Sequence, residues 1–91
     1  MGYEDLIKIN PKLIYASLTG WGQTGKFASR AGYDVIVASA GGLMSITGDQ
    51  NGPPARVGVA VTDLFTGVLT SNAIIAALLQ GRISYKLNFL S

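Results

Sequence analysis

The sequence predicts an α/β fold, and three observations carry that expectation. A short helical pattern runs into a strand of β-formers and then a glycine-rich loop, and two longer apolar stretches with helical spacing follow. The composition is 48% hydrophobic and 13% charged over 91 residues, with 12 glycines. So apolar a chain resembles the inside of a larger α/β protein more than a free-standing soluble domain. At this length a chain buries a smaller share of its surface than a typical domain, so other polypeptide is expected to cover it.

Tyr3 to Asn10 sets Tyr3, Leu6, Ile7 and Asn10 at three- and four-residue spacings, which predicts a short amphipathic helix stopped by Pro11. Leu13 to Leu18 then reads as a buried strand ended by Thr19-Gly20. Between Gly20 and Gly32 no apolar period survives, and the segment reads as one long loop of the kind that is often functional. Tyr33 to Ile46 predicts a buried helix, with Gly41-Gly42 near its middle marking close packing or a kink. Gly48 to Pro54 is a strong turn signal. The last element runs from about Val59 to Gln80, with Leu64, Val68, Ile75 and Leu79 on one face and alanines elsewhere.

That last stretch approaches the ~20 residues of a membrane span, but Thr62, Asp63, Thr66, Thr70, Ser71, Asn72 and its glycines favour a buried core helix. There is no cysteine and no histidine, which removes disulfides and the usual metal and histidine-base chemistries from this stretch. The net charge of +2 forms no basic run and gives weak grounds for a nucleic-acid partner. The opening residues match neither a signal peptide, a transit peptide nor a myristoylation site, so any organelle address is expected outside this chain.

Asp63 is the only charged residue between Arg56 and Arg82. An ionised group among apolar neighbours must be paired, hydrogen-bonded or functional. One reading makes it a helix-start acid bonded to backbone amides, with Thr62 capping a helix that begins at Asp63. The other makes it a nucleophile, since a carboxylate can attack an activated acyl carbon, and Gly58, Ala60 and Gly67 leave room for a bulky thioester.

Gly20 to Lys26 matches both G-x-G-x-x-G and G-x-x-x-x-G-K after a predicted strand, which raises a nucleotide-phosphate loop as an alternative. Phe27 stands where magnesium binding needs Ser or Thr, and the following residues do not open a helix. Arg30 and Tyr33 offer a charged fork and an aromatic hydroxyl suited to an anionic or nucleotide-bearing ligand, or else are ordinary surface residues. Asp34 reads as a helix-start acid rather than a catalyst.

Three ordered segments, NPKLIYASLTGWGQTG, RAGYDVIVASAGGLMSITG and NGPPARVGVAVTDLFTG, resemble the class III coenzyme A transferases over about residues 2 to 80. Within that family the likeness is greatest to the succinate and glutarate dicarboxylate transferases. The resemblance implies a fragment of a Rossmann-like large domain, here a helix, a strand, a long loop and two buried helices. It also implies an interlocked homodimer, ping-pong acyl transfer through an aspartyl intermediate on Asp63, and Arg30 and Tyr33 near the coenzyme A cleft. Acyl-CoA and carboxylic acid are then the substrates, with no permanently bound cofactor, no metal, no nucleic acid and no membrane.

Location would be mitochondrial in a eukaryote and cytoplasmic otherwise. Racemases of the same family form another alternative; they pair the corresponding aspartate with a histidine, which this stretch lacks. Residues 81–91, GRISYKLNFLS, fit no part of the family pattern, so 1–80 is expected to be a partial transferase domain and 81–91 a tail from a read-through, an alternative transcript or a partial gene. Such a chain is expected to be inactive and unstable alone.

Overall fold

The computed structural model describes residues 2–84 and 89–90. Its elements run α1 (Tyr3–Ile9), β1 (Tyr15–Ala16), α2 (Asp34–Ala40), a 3₁₀ turn (Leu43–Ile46), α3 (Val61–Ser84) and β2 (Phe89–Leu90). The chain divides into two compact units, residues 1–18 with 68–91 and residues 19–67.

In the first unit, α1 forms where the spacing predicts it. Gly2 O accepts the amides of Asp5 and Leu6 at 3.2 Å each, and the Asp5 carboxylate accepts the Gly2 amide at 3.2 Å. Two of the orphan donors of the first turn, the Gly2 and Asp5 amides, are thereby partnered. Before Pro11 the chain leaves the helix at Asn10, whose side-chain oxygen accepts the Lys12 amide at 3.0 Å. Tyr3 meets Tyr15 edge-on with ring centroids 5.7 Å apart, which joins α1 to β1.

The strand is shorter than Leu13 to Leu18. Only Tyr15 and Ala16 are laddered, in parallel with Phe89 and Leu90. A parallel pair requires a long crossover, and the rest of the chain supplies it. Of the 81–91 segment, the residues to Ser84 continue α3 and Phe89–Leu90 form β2; residues 85–88 and 91 lie outside the described residues.

In the second unit, the loop closes where the backbones of Gly20 and Gly32 abut, so tightly that a Cβ on either would overlap the other's Cα. Only glycine fits such an approach. Inside the loop, Trp21 Nε1 donates to Ala31 O at 3.1 Å. Trp21 lies 5.7 Å from the Phe27 ring, and the Arg30 guanidinium lies 4.5 Å over that ring's centroid.

The single helix expected over Tyr33 to Ile46 is instead two pieces. α2 ends at Ala40, and Gly42, in the left-handed region at φ 84°, turns the chain into the 3₁₀ turn. The paired glycines therefore end the helix rather than kink it. The predicted turn follows, closed by Gly52 N to Asp49 O at 3.0 Å and Ala55 N to Thr47 O at 3.1 Å.

α3 begins at Val61, two residues after the predicted start of the element near Val59 and two before the Asp63 start that a Thr62 cap would give. The expectation of two buried helices does not hold within this chain. Ala38 on α2 and Ala77 on α3 are the buried hydrophobic residues among those described, and Leu64, Phe65, Val68, Leu69, Ile75, Leu78 and Leu79 are all more than half exposed. Ninety-one residues provide too few elements to cover a 24-residue apolar helix. By length and composition, Val61–Gly81 is also apolar enough to cross a membrane.

Candidate active site at the start of the last helix

A helix start leaves its first amides without intrahelical partners. For α3 the preceding residue, Ala60, has no side-chain acceptor. The missing acceptor comes from Asp34, the first residue of α2. Its Oδ1 accepts the Thr62 amide at 2.8 Å, the Asp63 amide at 3.3 Å and the Thr62 hydroxyl. Val61 N to Val59 O at 2.8 Å and Leu64 N to Ala60 O at 3.0 Å complete the first turn, and the Thr66 hydroxyl donates to Thr62 O at 2.7 Å.

Thr62 is thus not the cap but is itself held by one. Asp34 does lie in the first turn of α2, as expected of a helix-start acid, yet its carboxylate serves α3. The Thr62 hydroxyl is the main cause holding the Asp34 carboxyl below the usual carboxylate range; partial desolvation opposes it, and the Asp63 and Thr62 amides and the charge of Arg56 add to it.

This arrangement bears on the two readings of Asp63. Two of the first-turn amides, those of Thr62 and Asp63, are already taken by Asp34. Asp63 is exposed in the first turn of α3, and among the described residues its carboxylate has no hydrogen bond or ion pair. A carboxylate with free lone pairs at a helix start is open to an electrophile.

Tyr33 immediately precedes the clamping Asp34, so its Cα lies ~3.8 Å from that of Asp34. Its side chain is 70% exposed, and its carbonyl accepts the amides of Ile36 and Val37 at the start of α2. Arg30 is exposed and stacked on Phe27, which leaves the edge of the guanidinium available to an anion. Lys26 Nζ lies 5.8 Å from the Phe27 ring centroid.

No helix opens from Gly20 to Lys26. The next one begins at Asp34, and the intervening amides of Ala28 and Arg30 bond back to Gly25 and Phe27 carbonyls. A phosphate cradle on a helix N-terminus is therefore not built there. Among the described residues no group of three or more Asp, Glu, His or Cys could hold a metal.

Residues 1–84 match the profile of CoA-transferase family III. The chain belongs to that family. It is 56% identical over 80 residues to the succinyl-CoA:glutarate CoA-transferase of Mus musculus, a match covering 88% of this chain and 18% of that protein. The succinate–glutarate CoA-transferase of Agrobacterium fabrum is also 56% identical over 80 residues, covering 88% of this chain and 20% of that protein. A crystal structure of a CAIB/BAIF family protein from Brucella suis superimposes with a TM-score of 0.91 at 43% identity, covering 99% of this chain and 24% of that one. The chain spans about a fifth of the length of the curated relatives it matches.

Local sequence reasoning does not find Asp34 as the anchor of α3. Its one sequence signal was an absence: a helix opening behind Ala60 with no capping side chain at that position.

Proposed function

We propose that this chain is part of an enzyme that moves coenzyme A from an acyl-CoA donor to a carboxylic acid through a covalent intermediate on Asp63. The observation that carries the proposal is the exposed Asp63 carboxylate, at a helix start where the Thr62 and Asp63 amides are already bonded to another acid. Family membership and the names of the relatives favour succinyl-CoA as donor and a dicarboxylic acid as acceptor.

An Asp63 oxygen attacks the thioester carbonyl carbon, the C–S bond breaks, and the coenzyme A thiolate leaves behind a mixed anhydride. The thiolate then attacks the aspartyl carbonyl, releasing the first carboxylate and giving an aspartyl-CoA thioester. The acceptor carboxylate attacks that thioester and expels the thiolate. Attack of the thiolate on the acceptor's acyl carbon yields the new acyl-CoA and regenerates Asp63. Because the Thr62 and Asp63 amides serve Asp34, the oxyanions draw on other donors.

Arg30 and Tyr33 hold the coenzyme A moiety in this reading. Arg30 offers guanidinium N–H groups to phosphate, and Tyr33 lies in sequence beside the residue that anchors the nucleophile. The residues that match the family profile, 1–84, belong to a Rossmann-like large domain, and the residues after 84 are a tail outside that match. The apolar face of α3 is covered by the rest of an interlocked homodimer rather than by lipid, and the enzyme is mitochondrial in a eukaryote or cytoplasmic in a prokaryote. Taken alone the 91 residues are inactive, since most of the length of the family's enzymes lies outside them.

The test supplies the complete enzyme with succinyl-CoA and glutarate and compares wild type with Asp63→Ala. Loss of transfer, together with loss of a coenzyme A adduct on the Asp63 peptide by mass spectrometry, is the expected result. Undiminished transfer by the variant would remove Asp63 from the mechanism.

A further inference from the structure

We infer that Asp34 is a positioning residue for the nucleophile: its carboxylate fixes the first turn of α3 and keeps the Asp63 carboxylate from folding back onto its own helix. The inference rests on the reading of Asp63 given above. Three donors converge on one oxygen of Asp34, two of them main-chain amides that flank the Asp63 peptide unit and its neighbour. The Asp63 amide is bonded directly to the Asp side chain of another helix, so the direction of the Asp63 Cα–Cβ bond is set from α2.

Geometry gives the clamp a second effect. Free amides at a helix start attract the nearest carboxylate. With Asp34 absent, the nearest is Asp63 itself, on the same turn. A self-capped Asp63 would spend its lone pairs on backbone N–H groups and present a poorer, misdirected nucleophile. Asp34 thus acts through Asp63 and through the backbone, without touching substrate. The acceptor atom, not the negative charge, is what the clamp requires; an amide oxygen at the same place can receive the same three donors.

The experiment uses the complete enzyme and four variants: Asp34→Ala, Asp34→Asn, Thr62→Val and Asp63→Ala. Steady-state kinetics with succinyl-CoA and glutarate are read beside thermal unfolding and the yield of the Asp63 adduct. Misplacing a reacting group by about an ångström lowers rate on the order of 100-fold. We therefore expect Asp34→Ala to lower kcat roughly 10- to 100-fold with the KM for acyl-CoA changed less than about threefold, and to slow adduct formation in parallel. Asp34→Asn should recover most of that loss.

A kcat for Asp34→Ala within about threefold of wild type overturns the inference, as does an Asp34→Asn enzyme damaged as severely as Asp34→Ala. Should Asp34→Ala fail to fold, Thr62→Val carries the test. It removes one donor from the clamp and should lower kcat several-fold with the unfolding midpoint unchanged; an unchanged kcat then overturns the inference. Transfer persisting in Asp63→Ala would instead strike the nucleophile reading, which separates the two failures.

Discussion

Replacing Gly20 by alanine tests whether the pinched loop holds the Arg30 platform. A Cβ built on Gly20 overlaps the Gly32 Cα and lies 3.0 Å from Gly32 N and 3.3 Å from its carbonyl carbon. Ordinary carbon contacts begin near ~3.5 Å, and the obstacle is backbone on both sides, so no side-chain rotation relieves it. The strands of the loop must separate by about an ångström, at the ~1–3 kcal/mol typical of overpacking. Expressed as loop opening, that range corresponds to roughly 5- to 150-fold in the closed population.

The assay compares Gly20→Ala with Gly81→Ala in the complete enzyme, because a Cβ on Gly81 meets nothing within 4 Å. Gly20→Ala should raise the KM for acyl-CoA by roughly 5- to 150-fold, or else lower the unfolding midpoint by several degrees, about 2–4 °C per kcal/mol in a domain of 150–250 residues. Gly81→Ala, a helical position with open space, should leave both unchanged or stabilise slightly. If the two variants are indistinguishable in both readouts, the glycine contact does not hold the loop and the reasoning fails.

Acid should remove the stability that the Asp34 charge adds to the clamp while leaving its acceptor oxygen in place. Its folded-state carboxyl lies below the unfolded value of ~3.9, so its contribution is fully present above about pH 4 and is lost as pH falls through the folded value. The gap in unfolding midpoint between wild type and Asp34→Asn should therefore shrink below about pH 4, and a gap constant down to pH 2.5 or so would contradict it. Trp21→Phe keeps the aromatic contact with Phe27 but removes the donor to Ala31 O, at a cost of about 0.5–1.5 kcal/mol; a change beyond that range in denaturant titration would point to a different role. Arg30→Lys keeps the charge and loses the planar stack on Phe27. It should raise the KM for acyl-CoA nearly as much as Arg30→Met, whereas full retention by lysine would show that charge alone matters.

Local physics was legible in the sequence. Proline after Asn10 ended α1, and the Gly48 to Pro54 turn and the Gly20 to Gly32 loop came from residues with fixed backbone preferences. The segment around Gly41-Gly42 was misread because a 3.6-residue apolar period continues across it, while the left-handed backbone at Gly42 that ends the helix has no period of its own. Burial of α3 differs from the expectation for another reason: its pattern describes a surface made to be covered, and among the described residues no element covers it. Asp63 stood out by isolation alone. Its relation to Asp34, 29 positions earlier, is a tertiary contact that no local spacing encodes.

The contact between Trp21 and Phe27 also makes the loop its own reporter. Trp21 is the one tryptophan in the chain, so within this segment all indole emission arises beside the Phe27 ring that the Arg30 guanidinium covers, and from a ring whose N–H is held by Ala31. A solvent-driven red shift of that emission reads the opening of a single turn of chain, with no label added and no competing fluorophore of its kind among the 91 residues.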